Sequence, residues 1–512
     1  MVQYPVRAGR REWIGLAVLA LPTLLVTMDL SVLFLAVPKL TEDLRPTSSE
    51  LLWITDIYGF LIAASLITMG SLGDRIGRRR LLLIGGGAFA GASAIAAFSV
   101  SAGMLIGARA LLGIAAATLA PSALALIRNM FTDSEQRQFA IGTWLSCFAA
   151  GAAIGPVVGG ALLERFWWGS VFLMNVPVMA LLLLLGPALL PESRDPDPGR
   201  IDLTSVGLSL TSLLVVTYGI TRISEQGVGS AAILTIVAGL IVGLAFVRRQ
   251  LSLTYPLVDM RLFKAATFTV ALAALLVSVF VISGTDLFVA QYLQLVHDVS
   301  PFVAGLWLLP GVIGLIIGSM VAPYTTRKLR AGAVVAAGLA LATTGLVVLA
   351  LLESGSSLIV LVTGTTLLGL GIGPVGTLGT DIVVAAAPVE RAGAASALSE
   401  TATELGGALG IAILGGIGTA AYRDQLGAAA PAGLSSTTAQ AAQDSLGGAV
   451  HVAGRLSAQL GGALRHAARL AFTHGLNVAA LVGAAIAVVM AVLVAFQLRD
   501  AREDGQPADS TR

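Results

Sequence analysis

The sequence predicts an all-α polytopic membrane protein, and three observations carry that prediction. Of its 512 residues, 56% are hydrophobic and only 12% are charged, whereas soluble proteins carry roughly a quarter charged residues. The mean hydropathy is +0.88. Apolar residues recur in runs of about 20–28, the length that a helix needs to cross the hydrocarbon layer. These features exclude a soluble multidomain protein, and the net charge of +2 is too small to suggest a nucleic-acid-binding surface.

Fourteen apolar runs are predicted to span the membrane, which places both termini on one side. Most of the 31 Lys and Arg residues lie in the loops on that side. Cytoplasmic loops carry such an excess, so we expect both termini to be cytoplasmic. The predicted spans are 13–38, 51–72, 81–100, 104–127, 138–163, 169–190, 202–221, 230–247, 267–294, 302–323, 331–352, 357–386, 392–419 and 471–498.

An internal repeat divides the chain into two six-helix bundles. "ARALLGIAAATLAPS" in the fourth span and "TTLLGLGIGPVG" in the twelfth share "LLG" followed by small residues and a proline. Spans one to six then correspond to spans nine to fourteen, and two helices are inserted between them. Parallel repeats of this kind are a known transporter architecture, with the substrate site near the midplane between the halves. The predicted domains are 1–190 (first bundle), 191–200 (cytoplasmic linker), 201–250 (two inserted helices), 251–500 (second bundle) and 501–512 (cytoplasmic tail).

A long external loop is predicted at residues 420–470, within the second bundle. Its segment "HVAGRLSAQLGGALRHAARLAF" has the composition of an amphipathic helix that lies on the membrane surface. A simple linker explains the same composition, and the sequence leaves both interpretations open.

The connection between spans two and three carries the first specific motif, "GSLGDRIGRRRLL" (70–82). Glycines let helix ends approach closely, Asp74 can cap or ion-pair a helix terminus, and the arginines anchor the cytoplasmic side. The segment resembles the signature loop of the major facilitator superfamily. The residues that match the loop are Gly70, Gly73, Asp74, Arg75, Gly77 and Arg78.

Span five contains "GTWLSCFAAGAAIGPVVGG" (142–160), which resembles the antiporter motif of the same superfamily. Gly151, Gly155 and Gly159 fall on one helix face and permit close helix packing, while Pro156 bends the segment. Gly160 completes the spacing. A simple packing seam is the alternative. The resemblance implies proton-coupled export rather than symport.

Together with the fourteen spans, "TMDLSVLFLAVPKL" and "LLWITDIYGFLIAASL" resemble the fourteen-helix drug:proton antiporter family, in particular its quaternary-ammonium and methyl viologen efflux pumps. The resemblance implies a monomeric protein of the bacterial cytoplasmic membrane that exports lipophilic cations in exchange for protons. Such a transporter is not an enzyme, and it uses the proton gradient rather than a cofactor. The alternatives are a dedicated exporter of one natural product and, from another class, a non-transporting receptor or scaffold. No G-x-x-x-x-G-K-[ST] motif supports an ATP-driven pump.

Three charged residues lie in the apolar runs of the first bundle. Intramembrane ionisable residues are costly and usually functional. By resemblance, Asp29 is the family's first-helix acid, either a protonation site coupled to substrate or the partner of Arg109, which lies at similar depth. Arg109 resembles the arginine of a motif implicated in proton transfer, although snorkelling to the external headgroups is an alternative. Asp56 lies nearer the external end, where Trp53 and Tyr58 suggest an entrance exposed to water; a purely structural role for Asp56 is the alternative, and the sequence leaves both open.

The second bundle adds two neighbouring acids, Glu400 and Glu404, one helical turn apart. Two carboxylates this close in a low-dielectric site do not both ionise easily, so one is expected to bind a proton that a cation can replace. Both match acidic positions of the related pumps. Leu315 stands where those pumps carry an acid that is associated with dication transport, and Asp286 is a candidate substitute charge. Asp381 is interpreted as an interfacial acid, and no metal site is predicted because the histidines lie at or outside the membrane boundaries.

Overall fold

The computed structural model describes residues 8–194, 202–226, 229–253, 256, 258–387, 392–431 and 433–498, and these form helices and short connections without any strand. The predicted tail (501–512) and residues 195–200 of the predicted linker lie outside the described residues. The first half contains α1 (Arg10–Leu44), α2 (Ser48–Ile76), α3 (Arg78–Ala97), α4 (Ala102–Met130), α5 (Ser134–Arg165), α6 (Ser170–Leu173) and α7 (Asn175–Leu189).

The rest of the described chain continues in the same way. It contains α8 (Leu203–Gln226), α9 (Ser230–Ser252), α10 (Ala266–Gln291), α11 (Pro301–Thr325), α12 (Ala331–Ala350), α13 (Leu358–Ala385), α14 (Ala392–Gly410), α15 (Gly416–Ala429), α16 (Ser436–Asp444), α17 (Leu446–Ala453) and α18 (Ala458–Gln497). Two single-turn π-helical segments, Tyr292–Val296 and Ile411–Gly415, follow α10 and α14. We call α1–α7 the first half and α10–α18 the second half.

Within the described residues, 13 helices are long and apolar enough to cross a membrane. The count is 14 when the two segments of α5, 139–152 and 154–165, are taken as one span; they meet at an angle of 42°. Pro156 follows Ala152 by four residues and cannot donate to its carbonyl, which accounts for a bend at this point. The predicted all-α polytopic fold is confirmed, with a span count of 13 to 14.

Helix starts are fixed by side chains that satisfy free backbone N–H groups. Thr47 and Glu50 form a capping box at the start of α2: the Glu50 N–H donates to Thr47 Oγ1 at 3.2 Å, and the Thr47 N–H donates to Glu50 Oε2 at 2.9 Å. Ser101, Asp133 and Ser300 cap α4, α5 and α11 in the same manner. These polar residues mark the membrane boundaries because they end the apolar runs.

Hydrogen bonds join the two halves near one end of the bundle. We call the side at which α1 begins and α18 ends the terminal face, and the opposite side, which carries α16 and α17, the hairpin face. Three hydrogen bonds join the halves near the hairpin face: Gln294 Nε2 donates to Leu35 O at 3.1 Å, Ser300 Oγ to Glu164 Oε1 at 2.5 Å, and Ser48 Oγ to Asp444 O at 2.5 Å. The bundle is therefore closed at the hairpin face.

The helices α8 and α9 pack on each other through small residues. A Cβ on Gly239 would lie 2.9 Å from the Val216 nitrogen. At the terminal face, the Arg249 guanidinium makes two hydrogen bonds to Asp202, of 2.6 and 2.9 Å. These bonds, with a further one from Ser205, hold the pKa of the Asp202 carboxyl below its usual range. The helix pair α8 and α9 contacts the rest of the bundle mainly through α8, which lies against α2 and α15.

The prediction of one loop at 420–470 was wrong at both ends. Residues 420–429 extend α15, and the last membrane helix begins at Ala458 rather than at residue 471. The stretch from 458 to 472 is therefore the start of the 40-residue α18, not a separate surface helix or a linker. Between these helices, α16 and α17 fold over the hairpin face, and the Tyr422 hydroxyl donates to Ala442 O at 2.7 Å. Apolar composition at a membrane boundary does not distinguish a surface helix from a membrane helix that extends beyond the bilayer.

Candidate functional site

Asp29 and Arg109 form a buried ion pair between α1 and α4, with their side chains 1% and 0% exposed. Arg109 Nε also donates to Ile54 O on α2 at 3.1 Å. Its guanidinium carbon lies 4.4 Å from the centre of the Tyr58 ring, which adds a cation–π contact. The snorkelling alternative for Arg109 is excluded, because the group points into the bundle and is fully buried. The pair joins three helices of the first half.

A second set of contacts holds the other oxygen of Asp29. Asn175 Nδ2 lies 3.2 Å from Asp29 Oδ1 and 3.3 Å from Ser93 Oγ. Asn175 is fully buried at the first turn of α7, directly after the break between α6 and α7. The sequence reasoning did not single out Asn175 or Ser93. The only signal was a polar amide at the start of the apolar run "NVPVMALLLLL".

Asp56 is buried in the interface between the two halves. Its exposed fraction is 1%, and neither carboxylate oxygen has a hydrogen-bond partner among the described residues. Leu52 and Phe60, one turn to either side of Asp56, pack against the second half, Leu52 beside Ile411 and Phe60 beside Ala408. Asp56 therefore lies on the face of α2 that meets the end of α14. Arg109 is the charged group whose field reaches this carboxylate.

The expectation that Asp56 lies at a water-exposed entrance was wrong. Tyr58, which was expected to mark that entrance, is fully buried below Arg109. Distance from the end of an apolar run measures depth along one helix only. The second half covers this part of α2 and removes it from water.

Glu400 and Glu404 lie on α14 in the second half, and both are partly exposed. Their carboxylates interact electrostatically, as their spacing of one turn predicts. The field of Glu404 also reaches Tyr58, the residue that stacks on Arg109. Tyr58 thus interacts electrostatically with Glu404 of the second half as well as with Asp29 and Arg109 of the first half.

Three further residues complete the inventory of predicted positions in the second half. Asp286 on α10 is partly exposed and is flanked by the buried residues Thr285 and Leu287. Asp381 is exposed near the end of α13, and its interpretation as an interfacial acid stays a prediction. Leu315 packs against α13 at Gly373. The structure does not bring any of these three into contact with Asp29 or Arg109.

The glycines of span five lie against α1 beside Asp29. A Cβ on Gly151 would lie 2.5 Å from Leu24 O, and one on Gly155 would overlap the Ser31 hydroxyl. Gly159 faces Val32 in the same way. Gly160 faces the other half instead, where an added Cβ would lie 2.5 Å from Pro301 O. The segment around Pro156 therefore packs on the helix that carries the acid and on the opposite half.

The motif loop at 70–82 is held by the end of the first half. Asp74 pairs with Arg78 at 2.5 Å, and Gly73 leaves room for the Arg78 side chain. Gly77 has φ = +107°, and a Cβ there would lie 2.5 Å from the Glu192 carboxylate. That carboxylate accepts from the Arg79 N–H at 3.0 Å. The loop thus joins the α2–α3 turn to the start of the segment that leaves the first half.

Gly70 and Arg75 complete the matched residues of this loop. An added Cβ on Gly70 would make ordinary contact with Pro121 on α4, at 3.9 Å. Arg75 lies in the last turn of α2 and has an interaction partner.

Comparisons with known proteins agree with this architecture. The family model of the Major Facilitator Superfamily matches residues 19–411. The chain is 44% identical to the multidrug efflux pump LfrA of Mycolicibacterium smegmatis, over 96% of this chain and 97% of that protein. It is 35% identical to the methyl viologen resistance protein SmvA of Salmonella typhimurium, over 96% of this chain and 99% of that protein. It is 31% identical to the tetracenomycin C resistance and export protein of Streptomyces glaucescens, over 98% of this chain and 94% of that protein.

Among solved structures, the chain resembles a bacterial homologue of the human lysosomal transporter Spinster, described as inward-facing and unoccupied. The TM-score is 0.67 at 17% identity, covering 96% of this chain and 99% of that one, and this likeness shows the fold alone. The membrane helices and the bacterial relatives identify a multi-pass protein of the bacterial inner membrane. The chain belongs to the Major Facilitator Superfamily and, within it, to the multidrug efflux transporters.

Proposed function

We propose that this protein is a monomeric proton-coupled antiporter that exports lipophilic cations, with both termini in the cytoplasm. The observation that carries the proposal is the unequal access of its intramembrane acids. Asp29 and Asp56 are sealed in the first half and its interface, whereas Glu400 and Glu404 are partly exposed in the second half. Two acid sets with different access suit an exchange of protons and cations, because one set can meet the substrate while the other keeps a fixed partner.

Glu400 and Glu404, which are half-buried, form the proposed binding site for the exported cation and for the competing proton. Two carboxylates one turn apart repel each other in a low-dielectric site, so one of them favours a proton when no cation is present. A lipophilic cation supplies the compensating charge and releases that proton. Asp286, partly exposed on α10, is a further candidate contact for a charged substrate.

The buried ion pair is the proposed coupling element. Protonation of Asp29 removes the charge that neutralises Arg109. Arg109 Nη2 has no hydrogen-bond partner among the described residues, and the field of Arg109 reaches the unpartnered carboxylate of Asp56. A shift of Arg109 towards Asp56 would act on the face of α2 that packs against the second half. Proton binding in one half would thereby change the contact between the halves.

The orientation follows from the loop charges and agrees with this cycle. If the terminal face is cytoplasmic, the contacts at the hairpin face close the transporter towards the outside. A cation would then reach Glu400 and Glu404 from the cytoplasm. Separation of the hairpin-face contacts, such as Gln294 to Leu35, would be required for release.

A dedicated exporter of one natural product is the second candidate. The observation that favours it is the 31% identity to a protein named for resistance to and export of one antibiotic, tetracenomycin C. A substrate panel separates the two: several unrelated cations are exchanged by a multidrug pump, and one compound class by a dedicated exporter.

The test is an exchange assay with the purified full chain in proteoliposomes. An imposed pH gradient should drive movement of a monovalent cationic dye, and a protonophore should abolish it. Asp29→Asn and Glu400→Gln should each reduce the initial rate at least about tenfold while protein incorporation is unchanged. Dye binding without gradient-driven movement in the wild type would instead favour the receptor or scaffold alternative.

Asp381→Asn is the matched control, because it also removes one carboxylate from a membrane helix but at an exposed position. It should keep a rate close to that of the wild type. Wild-type rates in Asp29→Asn and Glu400→Gln would refute the proposed roles of these acids.

A further inference from the structure

Asn175 holds a carboxylate that already has a charged partner. Its Nδ2 lies 3.2 Å from Asp29 Oδ1, while the Arg109 guanidinium pairs with Asp29 Oδ2. The amide is oriented from behind by Ser93 on α3, at 3.3 Å. Asn175 is fully buried, and its Oδ1 has no hydrogen-bond partner in the described part of the chain. Its donor group therefore serves Asp29 and Ser93, and it brings α7 and α3 to the ion pair.

The surroundings of Asp29 contain few groups that titrate. Among the described residues, Arg109 on α4 pairs with it and Tyr58 on α2 interacts with its charge, while the Arg109 charge also acts on Asp56 and the Glu404 charge on Tyr58. Helix α5 meets this part of α1 with Gly151 and Gly155, which carry no charge. A small number of contacts thus holds the Asp29 carboxylate in its pairing with Arg109. The Asn175 amide is the uncharged donor among them.

We propose that Asn175 is a positioning residue of the transport cycle, which holds Asp29 in its ionised, Arg109-paired form and thereby sets the pH at which proton binding releases Arg109. The inference rests on the proposed proton-coupled function. An N–H donor stabilises a carboxylate but not the corresponding acid oxygen that carries the proton. Loss of the amide therefore favours protonated Asp29 at higher pH, and Arg109 is released too early.

The expected effect is a displaced pH profile rather than a simple loss of rate. A hydrogen bond to a charged group changes the equilibrium by about tenfold or more. In Asn175→Leu, which keeps the approximate volume and removes the donor, the pH of half-maximal dye exchange should move up by about one pH unit. A purely structural role would lower the maximal rate or the amount of folded protein and leave the midpoint in place.

A second readout does not depend on transport. The thermal unfolding of purified protein is measured from pH 5 to pH 9 for the wild type, Asn175→Leu, Asp29→Asn and the double variant. Asn175→Leu should alter the pH dependence of unfolding only where Asp29 is present. An identical change in the Asp29→Asn background would overturn the inference, because the effect would not act through this carboxylate.

The two measurements separate the two proposals. If the wild type shows no proton-driven exchange, the proposed function fails, and the unfolding profiles still decide whether Asn175 holds Asp29. If the wild type exchanges dye and the midpoint of Asn175→Leu is unchanged, the inference fails alone. Should Asn175→Leu not fold, Ser93→Ala replaces it, because it frees the amide without removing it. A smaller upward shift of the midpoint then supports the inference, and an unchanged midpoint overturns it.

Discussion

Removing Arg109 alone is expected to destabilise the protein more than removing both members of the buried ion pair. In Arg109→Met, Asp29 keeps the Asn175 amide as its hydrogen-bond partner among the described residues, with its side chain 1% exposed. Breaking a buried ion pair by removing one partner costs about 3–5 kcal/mol. The hydrogen bond to Ile54 O and the contact with Tyr58 are lost as well. We therefore expect a loss in the upper part of that range.

The double variant Asp29→Asn, Arg109→Met leaves no charge in the site. Replacing a buried ion pair by uncharged residues of similar volume is often neutral, so about 2 kcal/mol or more of the loss should be recovered. Unfolding is followed in mixed micelles by titration with a denaturing detergent at pH 7, with Asp381→Asn as the exposed control. Dye exchange is measured on the same preparations, and both Arg109 variants should be inactive.

Two results would contradict this reasoning. Arg109→Met could be as stable as the wild type, which would mean that the site accommodates Asp29 without its partner. Alternatively, the double variant could be as unstable as the single one, which would assign the loss to packing rather than to the unpaired charge. Recovery of stability without recovery of transport would separate the structural role of the pair from its role in coupling.

Three further outcomes are expected. Gly155→Ala places a Cβ against the Ser31 hydroxyl and should cost about 1–3 kcal/mol of unfolding free energy. Gly142→Ala is the control and should be tolerated, because an added Cβ there meets nothing within 4 Å. Equal stability of the two variants would refute the packing argument. Gly77→Ala, at φ = +107° and beside Glu192, should lower the melting temperature, and Glu192→Ala should restore only the part due to the clash. Burial, and next the Arg469 charge, hold the pKa of His297 below its usual value. The folded state therefore favours neutral His297. The stability of the protein should fall as the pH drops below about 6.5, because protonation of His297 then favours the unfolded chain. A melting profile in which His297→Phe is as acid-sensitive as the wild type would argue against this assignment.

The sequence predicted the helices and the small-residue seams well because both are local properties. An apolar run of sufficient length spans the membrane whatever its neighbours are. The spacing of Gly151, Gly155 and Gly159 places them on one helix face before any partner is known, and the structure puts that face against α1. The predicted end of the long loop was wrong, because α18 begins at Ala458, before the start of the apolar run at residue 471.

The sequence by itself determined that charged residues lie inside apolar helices, and this alone led to the prediction of a functional site among them. Only the tertiary structure decided their partners. Asp29 and Arg109 are 80 residues apart, and Asn175 reaches Asp29 across 146 residues. Asp56 is buried because the opposite half covers it. The physical reason is that helix formation and membrane insertion depend on neighbouring residues in the chain, whereas the pairing and burial of a charge depend on which helices pack around it.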